Sequence, residues 1–229
     1  MHLNFKLART RVVDGSLLPR TKTTRVILAF MVISWLSVVG VGLRLLWDYE
    51  NTPGIAAEPP RQWPTDSRIQ LAQDQATLVM LAHPHCPCTR ASIGELASIM
   101  AHSQGRLSAY VLFLEPEGFS DAWEETDLWQ SASYIPGVKV VLDGDGREAR
   151  LFHAATSGQT VLYDAQGRLL FSGGITSARG HFGDNEGQAS IVSFVNAKVP
   201  SRRETAVFGC PLFDPQSECR TSPDERKKQ

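Results

Sequence analysis

The amino-acid sequence predicts a three-layer α/β domain carried behind a single N-terminal transmembrane helix. Two observations lead to that expectation. From Thr77 to Ala197, short apolar runs suited to buried strands alternate with stretches whose apolar residues recur at helical spacing. Ahead of them, Val26 to Leu43 forms an 18-residue run without a charge. The composition agrees with a folded domain: 42% of the 229 residues are hydrophobic and 21% charged. A formal net charge of -1 gives no global field that would draw the chain to nucleic acid.

The apolar run continues past Arg44 into Leu45, Leu46 and Trp47. At about 1.5 Å per residue it nearly crosses a hydrocarbon core of about 30 Å, with Arg44 placed to snorkel. Trp47 and Tyr49 fall at the far headgroup level, where amphipathic rings are enriched. A buried core helix would show a polar face, which is missing here. A cleaved signal peptide is the stronger competitor, but its apolar region usually spans about 7–15 residues and starts earlier. Lys6, Arg9, Arg11, Arg20, Lys22 and Arg25 precede the run, whereas Asp48, Glu50 and Glu58 follow it. The positive-inside rule then makes residues 1–25 a cytoplasmic tail and residues 26–47 a signal anchor. Everything beyond is expected outside the cytoplasm, in the periplasm if the cell is Gram-negative.

Residues 48–70 are expected to form a linker, semi-extended where Pro53, Pro59, Pro60 and Pro64 fall. Residues 71–200 carry the domain. Thr77–Ala82 reads as a strand buried on both faces, and Thr89–His102 as a helix presenting Ile93, Leu96, Ile99 and Met100. Ser108–Leu114 is a second buried strand. Ser120-Asp121 can cap a helix bearing Trp123, Leu128 and Trp129. Val138–Leu142 is a third strand, followed by a short helix. Thr160–Tyr163 pairs with Arg168–Phe171 across the Ala165-Gln166-Gly167 turn as a hairpin. A last helix spans about Glu186 to Ala197, signalled by Asp184-Asn185. Residues 201–229 form a C-terminal tail, polar and charged from Asp214 onward.

The chemistry concentrates at Cys86-Pro87-Cys88, between the first buried strand and the following helix. The carboxyl edge of such a sheet is where ligands and reactions collect. A helix N-terminus stabilises thiolate over thiol, and Pro87 suits the first helical turn. Cys86, taken as the more exposed sulfur, is expected to attack, and Cys88 to resolve the mixed disulfide. One intervening residue makes a small ring, which favours thiol oxidation or disulfide shuffling over reduction of stable bonds. The rival reading is a copper or zinc site formed by His83, His85, Cys86 and Cys88, with His153 and His181 approaching from other loops. That spacing matches no standard structural zinc pattern. A redox-inert scaffold is a third reading. No nicotinamide or flavin motif is present, so no cofactor is expected outside the metal reading; the partners would be protein thiols or disulfides.

These residues resemble the thioredoxin-like proteins of the redoxin branch, which include membrane-anchored thiol-disulfide proteins. Leu81-Ala82-His83-Pro84-His85-Cys86-Pro87, leading to Glu95-Leu96, resembles the family's strand, active-site cysteine, proline and first helix. Asp143-Gly144-Asp145-Gly146, Ala149, Phe152, Thr156, Val161-Leu162, Asp164, Gly167, Leu169 and Phe171-Ser172-Gly173-Gly174-Ile175 resemble its later strands and terminal hairpin. Val207-Phe208-Gly209-Cys210-Pro211 is similar to a Gly-Cys tail found in some members. The resemblance implies a thioredoxin-like fold and thiol-disulfide oxidoreductase activity. It also marks two departures. Gly158 stands where the family carries a cis-proline facing the active-site cysteine. His83 stands where peroxidases of this fold carry threonine, which argues against peroxide reduction.

Cys210 and Cys219 lie on one short segment, and the expected arrangement is a structural disulfide between them. The alternative is that Cys210 folds back as a resolving thiol for Cys86.

Overall fold

The computed structural model describes residues 22–55, 57–115, 126–200 and 202–213. The chain divides into two units, Met1–Leu46 and Trp47–Gln229. The first is described from Lys22, where helix α1 (Lys22–Asn51) begins. At 1.5 Å per residue its 30 residues span about 45 Å. It is one helix long and apolar enough to cross a membrane, and none of its side chains is buried against protein.

The second unit is built on a five-stranded sheet of order β3-β2-β1-β4-β5. Its strands are β1 (Ala76–Ala82), β2 (Leu107–Glu115), β3 (Val138–Gly144), β4 (Thr160–Tyr163) and β5 (Leu169–Gly173). β1, β2 and β3 run parallel, while β4 and β5 are antiparallel additions at the β1 edge. The parallel strands are joined by α2 (Pro87–Ser103) and by the crossover containing α3 (Asp127–Ser133); α4 (Arg147–Leu151) and α5 (Glu186–Val195) follow β3 and β5.

Strand periodicity sorts the core onto two faces. Leu78, Met80 and Ala82 of β1, with Ala109, Val111 and Phe113 of β2, pack against Ile93, Leu96 and Ile99 of α2, Leu128 of α3 and Ile191 of α5. The alternate residues Val79, Leu81, Tyr110, Leu112, Val161 and Tyr163 cluster with Ala149 and Phe152. Each fully buried Leu or Phe contributes about 1.5–3 kcal/mol. β1, the middle strand, is buried from Thr77 to Ala82, which is why its sequence is a continuous apolar run rather than an alternation.

The expected elements are present, most with ends shifted by a residue or two. The hairpin turns on Asp164, whose Oδ1 accepts the N–H groups of Gln166 and Arg168. Asn185 caps α5 by accepting the Gln188 N–H at 2.9 Å. α3 is capped by Thr126, whose hydroxyl accepts the Trp129 N–H; Ser120-Asp121 and Trp123 lie outside the described residues. The polar stretch from Asp214, with Cys219, also lies outside them.

The proline-bearing stretch behaves differently from a spacer. Gly54 donates to Val207 O, Trp63 donates to Gly167 O, and Leu169 donates to Arg61 O. The Tyr163 hydroxyl donates to Pro60 O at 2.8 Å. The Trp63 ring meets Phe152 and Tyr163 edge-on, at centroid distances of 5.3 Å. Prolines keep such a strap extended without requiring donors, so composition alone looks like a linker while backbone carbonyls and one indole hold it to the domain. Trp63→Ala should lower unfolding free energy by roughly 2–3 kcal/mol, somewhat under the about 3–5 of a fully buried Trp. Chemical denaturation followed by circular dichroism checks this; an unchanged midpoint would mean that the strap does not stabilise the domain.

Candidate functional site

β1 ends at Ala82 and α2 begins at Pro87, leaving His83-Pro84-His85-Cys86 to turn between them. Cys86 is the N-cap of α2, with extended backbone at φ -86°, and Pro87 stands in the first turn. The turn is held internally: Cys86 N–H donates to His83 O at 3.2 Å, and Thr89 N–H to Cys86 O at 3.0 Å.

A second loop, residues 154–159, braces this turn from the side. Ser157 Oγ accepts the His83 N–H at 2.9 Å and lies 2.9 Å from Thr89 Oγ1. Leu81 N–H donates to Gln159 O, and Gly158 N–H to Leu81 O at 2.7 Å. Gly158, at the position of the missing cis-proline, has φ +88°, a left-handed conformation that favours glycine. No cis peptide bond occurs among the described residues.

A third element completes the site: residues 207–212. Ser157 N–H donates to Cys210 O and Leu212 N–H to Ala155 O, both at 2.8 Å. A Cβ at Gly209 would stand 1.9 Å from Ser157 O, so only glycine permits this approach. Cys86, Cys88 and Cys210 thereby form a buried cluster of their own. Cys86 Sγ and Cys210 Sγ are 2.9 Å apart, against about 2.05 Å for a covalent disulfide. Cys86 and Cys88 are free thiols, and Cys210 is disulfide-bonded.

This placement corrects one expectation. Cys86 is not the more exposed sulfur: it is 0% exposed and Cys88 9%. The tail covers Cys86, and nothing in the sequence near Cys86 announces that lid.

The two thiols are driven apart electrostatically. Cys86 is lowered to about 6, first by the Cys88 thiol directed at it and then, against the opposing effect of burial, by main-chain N–H groups of Cys210 and Cys88. Cys88 is raised, first by its interaction with the Cys86 sulfur and then by burial. The Arg179 guanidinium opposes that rise. Arg179 is itself anchored through Nη1 to Gly209 O at 2.6 Å, and its guanidinium lies over the Tyr49 ring at 5.1 Å. The arrangement therefore favours charge on Cys86 and a proton on Cys88. Arg179 and Ser157 are not legible in the sequence as site residues, because each belongs to an ordinary polar stretch and reaches the cysteines only through the fold; Thr89 is adjacent to Cys88 but carries no signal of its own.

The histidines divide. His83 is buried, and burial, followed by the charge of His85, lowers it to about 4. It is neutral at pH 7, and its Nδ1 accepts the His85 N–H at 3.1 Å. His153 Nδ1 lies 2.7 Å from Glu58 O, and His181 pairs with Glu50 at 3.5 Å. Among the described residues, no three His, Cys, Asp or Glu side chains are gathered as a metal-holding group.

Removing the Cys88 thiol takes away the main support of the Cys86 thiolate. A hydrogen bond to a charged group is worth about 1.5–3 kcal/mol, so Cys88→Ala should raise the Cys86 midpoint from about 6 by roughly 1–2 pH units. Thiolate absorbance followed against pH reads the shift directly. A midpoint still near 6 in Cys88→Ala would show that the backbone donors suffice alone.

No family model matches the sequence, and no curated protein matches it. Solved structures do share its architecture. A hypothetical protein of Sinorhizobium meliloti 1021 is 19% identical, with 70% of this chain and 93% of that one covered at a TM-score of 0.50. An uncharacterized conserved protein of Geobacillus kaustophilus is 15% identical over 72% and 94%, at 0.51. A secreted Mycobacterium tuberculosis disulfide oxidoreductase homologous to Escherichia coli DsbE is 14% identical over 55% and 83%, at 0.39. The fold stands on the chain's own layout: three parallel strands, an antiparallel hairpin at the β1 edge, helices on both faces and a cysteine pair where β1 gives way to α2. With that layout the chain has the thioredoxin-like fold.

Proposed function

We propose that the chain is a membrane-anchored, extracytoplasmic thiol-disulfide oxidoreductase working through Cys86 and Cys88. The observation that carries this reading is the division of charge between the two free thiols, one lowered to about 6 and the other raised by it. A pair in which one sulfur is nucleophile and the other holds a proton in reserve is what two-step exchange requires.

In the direction of client reduction, the Cys86 thiolate attacks one sulfur of a client disulfide. A Cys86–client bond forms, and the client's second sulfur leaves as thiolate. Cys86 no longer carries charge, so the chief cause of the raised Cys88 pKa disappears. Cys88 then loses its proton and attacks Cys86 Sγ, closing the Cys86–Cys88 disulfide and releasing the client as dithiol. Two electrons pass from the pair to the client; the reverse sequence oxidises it. Arg179 favours the resolving step by stabilising the Cys88 thiolate.

The membrane part of the reading rests on α1 and on the basic residues before it, which favour an N-terminus in the cytoplasm. The sulfurs would then work where disulfides persist.

The test uses the full chain in detergent micelles, equilibrated across a glutathione redox series with free thiols counted by alkylation and mass spectrometry. Cys86 and Cys88 should cycle together by two electrons. Cys86→Ser should reduce turnover of a model disulfide by at least about 100-fold, and Cys88→Ser should trap the mixed disulfide. Stoichiometric copper(I) binding that is lost in both Cys86→Ser and His85→Ala, with no redox cycling, would overturn this reading in favour of a metal module.

A further inference from the structure

The tail that buries Cys86 is held as an extended client chain would be. Thr156 and Pro211 form an antiparallel bridge, and the Ser157–Cys210 and Leu212–Ala155 hydrogen bonds flank it. Edge pairing of this kind is how extended peptides dock on a fold, with main-chain bonds giving affinity and side-chain pockets giving specificity. Here the chain itself supplies the segment. Gly158 lacks a side chain on the face toward Ser92 Oγ and Phe208 O, and Gly209 lacks one toward Ser157 O. Both glycines clear the path by which Cys210 reaches Cys86.

What the tail presents to Cys86 is a sulfur already in a disulfide, 2.9 Å away. The reactants of a thiol-disulfide exchange are therefore in contact inside one chain. The main-chain N–H of Cys210 is also among the groups that hold the charge on Cys86. The docked tail thus both supplies an acceptor sulfur and helps ionise its attacker. Holding reactants in contact replaces a bimolecular encounter with an internal one.

We propose that Cys210 is an internal exchange partner of Cys86, so that the tail disulfide accepts electrons from the Cys86–Cys88 pair. The Cys86 thiolate attacks Cys210 Sγ; a Cys86–Cys210 bond forms, and the sulfur formerly bonded to Cys210 leaves as thiolate. Cys88 then attacks Cys86 Sγ, closing the Cys86–Cys88 disulfide and displacing Cys210, which takes up the proton that Cys88 gives up. One disulfide is lost and one gained, so no outside oxidant enters. The pair leaves oxidised, and Cys210 leaves as a thiol with its former partner sulfur as thiolate. While it is docked, the tail excludes clients from Cys86; once reduced and released, it exposes a pair ready to oxidise them. This proposal rests on the thiol-disulfide reading of Cys86 and Cys88 and adds a third sulfur to it.

The experiment removes the competing resolver. Cys88→Ser, a near-isosteric change, is prepared as the full chain in detergent, equilibrated in the same glutathione series, acid-quenched, alkylated and mapped by non-reducing peptide mass spectrometry. A peptide pair linked through Cys86 and Cys210 should be the main Cys86-containing species over part of the series. In Cys210→Ser the link should vanish. If wild-type Cys86 and Cys88 cycle but Cys88→Ser yields Cys86 only as free thiol or glutathione adduct, the tail proposal falls and the redox reading stands. If the wild-type pair does not cycle at all, the redox reading falls and the tail proposal with it.

Discussion

A buried sulfur that carries charge has to be surrounded by donors, and Cys86 is such a sulfur. It has no solvent exposure, and burial alone would favour the neutral thiol. The charge survives because donors converge from separate pieces of chain: the Cys88 thiol on the first turn of α2, the Cys88 main chain beneath it, and the Cys210 main chain in the tail. The strand end, the helix start and the tail are each placed where this requirement can be met. Helix N-terminal charge contributes to such sites in general, but here the named donors are mostly individual groups, and one of them is far away in sequence.

Ser157 is the mechanical counterpart of that electrostatic arrangement. Its hydroxyl accepts from His83 on one side and meets Thr89 on the other, while its main-chain N–H donates to Cys210 O. One residue thus ties the turn bearing Cys86 to the helix behind it and to the tail above it. A cis-proline at the neighbouring position would offer no N–H, whereas Gly158 donates to Leu81 O and adopts φ +88°. Departure from the family pattern at that position is therefore compatible with the fold because β1 gains a main-chain bond there and Phe208-Gly209 occupies the adjoining space.

Local chemistry is legible in the sequence, and distant coincidence is not. The continuous apolar run of β1, the helical spacing of Ile93, Leu96 and Ile99, the Asp164 turn and the Asn185 cap each express a short-range rule, and each element occupies its expected place. So does the Cys-Pro-Cys junction. The strap escapes such reading because prolines look the same whether a segment is free or laid against a domain; only Trp63 hints at burial. The approach of Cys210 to Cys86 is legible only as the alternative in which Cys210 folds back, and the burial it imposes on Cys86 is not. Its lid comes from residues 207–212, and no periodicity links Gly209-Cys210 to a helix start at Pro87. Arg179 is hidden on the same ground: one arginine after a hairpin carries no signal until the fold brings it beside Cys88.

The geometry also constrains how a client can be served. In the exchange proposed for Cys86, a client sulfur would have to come as near to Cys86 as Cys210 Sγ now is, and both cannot occupy that position. Tail docking and client docking would thus be mutually exclusive, and the bonds holding the tail include those from Gly54, Ser157, Leu212 and Arg179 to or from residues 207–212, with the Thr156–Pro211 bridge and packing of Val207 and Leu212. Hydrogen bonds of this sort contribute about 0.5–1.5 kcal/mol each, a sum that a client pairing with the same edge can replace bond for bond. Arg179 connects the two states, since the guanidinium that grips Gly209 O is the one that favours ionised Cys88. In the proposed internal exchange, Cys88 attacks while Cys210 is still bonded to Cys86, so Arg179 would act on Cys88 with Gly209 O still in its grip.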